Sequence, residues 1–107
     1  MTLAIAAIEP KLNAQVALHA ARAPYYLLFD EQGNLLDSLA NPFVQVDQGA
    51  APRAALFLSD NGVTLLAAGD FGPRLISELE QRGISNVLKT DLVSDALKEL
   101  IAEPKAE

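Results

Sequence analysis

Apolar residues come in short runs separated by amphipathic stretches, and this alternation sets out the elements. Residues 3–8 are apolar without a break, the pattern of a strand covered on both faces. Residues 25–29 form a second run, closed by Asp30-Glu31-Gln32-Gly33-Asn34, a turn composition with a glycine available for positive φ. Residues 35–39 then return as the second arm of a hairpin, although none of them is β-branched. Asn41-Pro42 opens a connection that runs to about Gly49, and residues 52–60 read as a helix with proline in its first turn and Gly62 placed to end it. Residues 63–68 are a further continuous apolar strand. Gly69-Asp70-Phe71-Gly72-Pro73 turns the chain into another helix, with Leu75, Ile76 and Leu79 on its buried side and Gly83 as its stop. Residues 84–88 predict a short strand. Thr90 or Asp91 is placed to cap a last helix, in which Leu92, Val93, Ala96, Leu97, Leu100 and Ile101 recur at helical spacing. Residues 103–107 read as a frayed tail.

This order predicts an α/β fold: one domain over residues 1–102, with a five-stranded mixed sheet flanked by about three helices. Helical crossovers make the first, fourth and fifth strands parallel, while the second runs antiparallel to the first. Such an arrangement resembles the ribonuclease H-like architecture. Residues 12–22 are the ambiguous segment. They are alanine-rich, so propensity alone favours a short helix, and one helical turn at most is expected there.

Composition narrows the chemistry. The 107 residues carry no cysteine and one histidine, which excludes disulfides and all-thiolate zinc or iron-sulfur sites and leaves His19 as the single soft-metal ligand. The formal charge of -6, with no basic stripe, argues against nucleic acid as a partner, because nonspecific binding depends on cations displacing counterions from phosphates. No apolar run approaches the roughly 20 residues needed to span a bilayer. The first residues lack the basic lead of a signal peptide, so a cytoplasmic protein without membrane contact is expected.

Enzymatic constellations are missing from the pattern. A ribonuclease H-like nuclease needs carboxylates gathered on strand ends to hold two metal ions, and residues 3–8 contain none. Neither Ser38 nor Ser59 is spaced as a nucleophile for His19, and no glycine-rich phosphate loop with its lysine is present. A noncatalytic protein is the expectation.

His19-Ala20-Ala21-Arg22-Ala23-Pro24-Tyr25-Tyr26 at the opening of the second strand, Asn41-Pro42, the glycine before the first helix, and Ala68-Gly69-Asp70-Phe71-Gly72-Pro73 together resemble the dinitrogenase iron-molybdenum cofactor biosynthesis family, over roughly residues 2–101. The resemblance implies a small ribonuclease H-like domain, related to nitrogen fixation, that binds, carries or helps mature iron-sulfur or iron-molybdenum clusters. It implies cluster donor or recipient proteins as partners. It also implies a loop, not a helix, around His19. The family signature is His-Phe-Gly-Arg-Ala, so His19 matches the candidate ligand and Arg22 the basic residue beside it, while alanine replaces Phe and Gly at positions 20 and 21. A left-handed conformation at Ala21 would cost about 1–2 kcal/mol, which predicts a loop of altered shape.

Topology supplies a second argument. The loops at residues 9–24, 40–53, 69–74 and 89–91 should gather at the carboxyl end of the parallel strands, where open α/β sheets bind ligands. That edge holds five of the eight basic residues, Lys11, Arg22, Arg53, Arg74 and Lys89, but only four of the fourteen acids, Glu9, Asp47, Asp70 and Asp91. It is the non-acidic region of an acidic chain. The expected ligand is an anionic iron-sulfur or molybdenum-containing cluster on His19 as metal ligand, with Arg22, Arg53, Arg74, Gly69 and Gly72 as further cofactor-binding residues and the Gly69–Gly72 turn as an anion cradle. The blander readings are a solvated histidine beside Leu18, a plain strand-to-helix turn, and an interaction or regulatory module that has kept the fold and lost the ligand. The chain is expected to be a monomer or a homodimer, the exposed edge at residues 35–39 being available for pairing.

Overall fold

Every residue of β1 (Thr2–Ala7) after Thr2 is buried, because this strand takes the middle of a five-stranded sheet ordered β3-β2-β1-β4-β5. The structure, a computed structural model, describes residues 1–46 and 48–102; the anticipated tail at 103–107 and Asp47 of the anticipated ligand edge lie outside the described residues. β1 pairs antiparallel with β2 (Tyr25–Phe29), which pairs antiparallel with β3 (Leu35–Ala40). On its other side β1 pairs parallel with β4 (Val63–Ala68), and β4 parallel with β5 (Ser85–Leu88). This is the mixed α/β sheet read from the sequence.

Alternation along the central strands divides the core. Ala4, Ala6, Tyr26, Leu28 and Leu66 face one layer, where Leu58 of α1 (Ala50–Asp60) and Leu75 and Leu79 of α2 (Pro73–Gln81) meet them. Leu3, Ile5, Leu27 and Phe29 face the other, against Val93, Ala96 and Leu97 of α3 (Val93–Ala102). Ala4 and Ala6 of β1 are fully buried in the layer that holds α1 and α2. The hairpin return forms without β-branched residues because its turn is tied by Asp30. That carboxylate accepts the N–H groups of Gln32 and Asn34, both at 2.9 Å, and a side-chain bond from Asn34 at 3.0 Å.

Several boundaries differ from the sequence reading. β1 ends at Ala7, since the Ile8 N–H turns away to the Gln15 carbonyl at 3.1 Å. α1 starts at Ala50, two residues before its proline, because Gly49 takes a left-handed φ of 78° as N-cap. α3 has neither Thr90 nor Asp91 as cap. It begins at Val93, and its first two N–H groups go to main-chain acceptors instead: Val93 to the Ala14 carbonyl at 2.8 Å and Ser94 to that of Leu12 at 2.9 Å.

Those acceptors belong to the alanine-rich segment, which contains no helical turn. Its main-chain groups are used across the molecule. The Ala17 N–H donates to Ala6 at the end of β1 and the Ala17 carbonyl accepts from Gly69 at the end of β4, at 2.8 and 2.9 Å. The segment thus threads between two parallel strand ends, and tertiary pairing overrides helix propensity.

Candidate functional site

All the loops at the carboxyl ends of β1, β3, β4 and β5 lie on one edge of the sheet, as the register of the strands requires. The segment containing His19 runs along that edge beside the β4–α2 turn. His19 pairs with Asp70 in a short parallel bridge, and the Ala20 N–H donates to the Asp70 carbonyl at 3.0 Å.

Two side chains fix the segment from beneath. The buried Tyr26 hydroxyl donates to the Ala20 carbonyl at 2.6 Å. Asn41, also buried, donates through Nδ2 to the carbonyls of Ala21 at 3.0 Å and Ala23 at 2.9 Å and to the Tyr26 hydroxyl at 3.3 Å, while its Oδ1 accepts from the Phe43 N–H at 3.0 Å. Burial drives the Tyr26 phenol well above its ordinary range, so it remains a neutral donor. Sequence reasoning did not find this device. Asn41-Pro42 read only as the start of a connection, and Tyr26 only as a strand aromatic; the pairing needs the hairpin register, which places Tyr26 opposite Leu39.

Position 20 is buried and position 21 half-buried, and no described non-glycine residue has positive φ. Ala21 therefore carries no left-handed strain, and a small side chain at Ala20 packs into the core under the loop.

The result is an open cavity of about 400 Å³ walled by His19, Ala20, Ala21 and Arg22 on one side and Asp70, Phe71 and Gly72 on the other. A second cavity of about 430 Å³ adjoins it across Arg22. Its walls are Arg22, Gln48 to Pro52 at the start of α1, and Arg74 of α2. Arg53 stands beside this second cavity: its Nε lies 3.5 Å from where a Cβ on Gly49 would be. His19, Arg22 and Gly72 are thus brought together, with Arg74 and Arg53 next door.

Gly69 is elsewhere. Its N–H is committed to Ala17, and a Cβ there would come within 3.0 Å of the Leu18 Cα, so the residue is a point of close backbone approach and not part of an anion cradle. Gly72 does begin α2, at φ 76°, without a side-chain cap. Asp70 does not cap that helix, and it lines the first cavity as an exposed residue.

The anticipated rim cations divide into two groups. Lys11 pairs with Glu9 at 3.7 Å and Lys89 with Glu99 at 2.9 Å. Arg22 donates through one guanidinium nitrogen to the carbonyls of Val44 at 3.2 Å and Val46 at 2.7 Å, and it lines both cavities. Arg53 and Arg74 make no ion pair among the described residues.

This donor set does not fit a bare metal ion. No group of three or more His, Cys, Asp or Glu converges among the described residues, and the chain has no cysteine. A cluster bringing its own sulfides asks less: one imidazole and a few N–H donors, which His19, Arg22 and the start of α2 offer.

Sheet order and helix placement define a ribonuclease H-like α/β domain. The chain belongs to the dinitrogenase iron-molybdenum cofactor family, whose model matches residues 1–103. Among solved structures, it is similar to the apo form of the orange protein from Desulfovibrio gigas, at 23% identity over 94% of this chain and 86% of that one, with a TM-score of 0.87. It is also similar to a Thermotoga protein of the DUF35 family, given as a candidate NifB protein, at 22% identity over 99% and 98% of the two chains, with a TM-score of 0.77. At these identities the likeness speaks to the fold alone. No curated protein gives a significant match.

Proposed function

We propose that the chain is a noncatalytic binding or carrier protein for an anionic iron-sulfur or molybdenum-containing cluster, held in the cavity between His19 and Gly72 and passed between a donor and a recipient protein. The observation that carries this reading is the placement of the single histidine on the wall of an open cavity, beside Arg22 and opposite the start of α2. An imidazole takes one open metal position, and the guanidinium and helix end offset negative charge. Family membership supplies the cluster chemistry. Asp70 works against an anion here. Access from solvent and a single protein ligand suit transient carriage better than storage.

Anaerobic titration with an iron-sulfur or molybdenum-sulfide cluster, followed by gel filtration, tests the reading. The visible absorption should co-elute with the protein, fall at least severalfold in His19→Ala, and rise in Asp70→Asn. Absence of a retained band, or retention indifferent to His19→Ala, sinks it. The second reading, a module that has kept the fold without the ligand, draws on one observation: part of Arg22 is already occupied by the Val44 and Val46 carbonyls. It predicts that the unloaded chain still captures its partner.

A further inference from the structure

We propose that the second cavity, between the starts of α1 and α2, is a separate binding site for a tetrahedral oxyanion of the phosphate or molybdate type. Among the described residues, Lys11, Arg82 and Lys89 pair with carboxylates, whereas Arg53, Arg74 and Lys98 make no ion pair. Arg74 lines one cavity of about 430 Å³ together with the partly used Arg22, and Arg53 stands beside it at Gly49.

The donors there are of one chemical kind. Guanidinium groups present planar N–H forks that match two oxygens of an oxyanion at once. Main-chain groups add to them. The first helical bond of α1 runs from Arg53 N–H to the Gly49 carbonyl, so the Ala50 and Ala51 N–H groups precede the ladder, and Gly49 has no side chain with which to cap them. Both alanines line the cavity. Its described walls include no carboxylate, no imidazole and no sulfur, so it offers hard N–H donors and nothing for a thiophilic metal.

Contrast with the neighbouring cavity sharpens the assignment. That one has His19, suited to a metal, and Asp70, which repels an oxyanion. The two cavities thus sort ligands by chemistry across the shared Arg22. The oxyanion site stands whether or not the first cavity carries a cluster.

The test is an NMR titration of ¹⁵N-labelled protein with sodium phosphate and, separately, sodium molybdate, at fixed ionic strength with sodium chloride as the control. Saturable shifts are expected at the Gly49, Ala50 and Ala51 amides and at the arginine Nε–H groups. Stronger response to one salt identifies the preferred oxyanion. The double substitution Arg53→Gln and Arg74→Gln should weaken binding at least tenfold, and because both side chains are exposed the spectrum should remain that of a folded protein. His19→Ala should leave the affinity unchanged, which separates this site from the cluster cavity. Shifts that grow linearly like those of chloride, or that persist in the double variant, overturn the proposal.

Discussion

The shape of the His19 loop is set by hydrogen bonds from two residues that never face the cavity. Tyr26 and Asn41 hold the carbonyls of Ala20, Ala21 and Ala23, three of the four residues between His19 and Pro24. Tyr26→Phe keeps the packing against Phe57 but leaves the Ala20 carbonyl without its donor. The expected cost is about 1–3 kcal/mol, and each kcal/mol should lower Tm by about 4–8 °C in a domain of this size. The pH dependence carries a second signature. A phenol whose folded pKa is raised contributes stability that is complete below its ordinary value of 10.0 and is lost as pH rises past it, when the unfolded chain releases the proton first. Thermal melts between about pH 8 and about pH 11 should therefore show a steeper alkaline decline in the native chain than in Tyr26→Phe, once Tyr25 is common to both. Equal slopes would show that burial of Tyr26 is not linked to its ionisation.

At the scale of elements, what the sequence made legible were strands and helices whose residues follow one period. Continuous apolar runs gave β1 and β4, and the glycine and proline punctuation gave α2 with its start at Pro73. The ambiguous segment, for which the resemblance implies a loop, and the misplaced cap of α3 involve the same thread. Residues 12–20 have the composition of a helix but spend their main-chain groups on Ala6, Gly69, Asp70 and the start of α3, bonds to residues far away in the chain. For the same reason the cap of α3 was misplaced, because its acceptors are carbonyls and not the side chains that a sequence displays. The candidate site was half legible: His19 and Arg22 could be read as neighbours, whereas the exclusion of Gly69 depends on how closely the thread passes. Gly69→Ala tests that packing. Its Cβ would lie 3.0 Å from the Leu18 Cα and 3.1 Å from Leu18 Cδ1, and backbone on both sides limits relief. A loss of about 1–3 kcal/mol in urea unfolding is expected, as for overpacked sites, with weakened amide protection at Ala17 and Gly69. Unchanged protection would mean that the thread moves freely.

For the whole molecule, acid acts through two opposed effects. The chain is acidic, with a formal charge of -6 and an isoelectric point near 4.6, so lowering the pH first relieves self-repulsion. Against this stand two carboxylates held below their ordinary values in the folded state. Asp30 is depressed by main-chain and side-chain hydrogen bonds from Asn34, and Glu99 by its hydrogen bond and ion pair with Lys89. A depressed folded pKa contributes stability that is present above the unfolded value and is lost as pH falls through the folded one. The unfolded values are 3.8 and 4.5, so these contributions should hold from neutrality down to about pH 5 and disappear below about pH 4. Asp30 is partly exposed and Glu99 exposed, so each effect is small, but Asp30 closes the β2–β3 turn, so its loss should loosen the hairpin before the central strands. Urea midpoints in dilute solution are expected to stay level or rise slightly toward pH 5 and then fall, with amide exchange in Leu35–Ala40 accelerating ahead of exchange in Thr2–Ala7. Asp30→Asn keeps an acceptor in the turn but cannot titrate, and it should flatten the acid limb of the hairpin signal while leaving that of α3, where Glu99 sits, in place. Loss of both limbs together in that variant would mean that acid unfolds the domain as one unit.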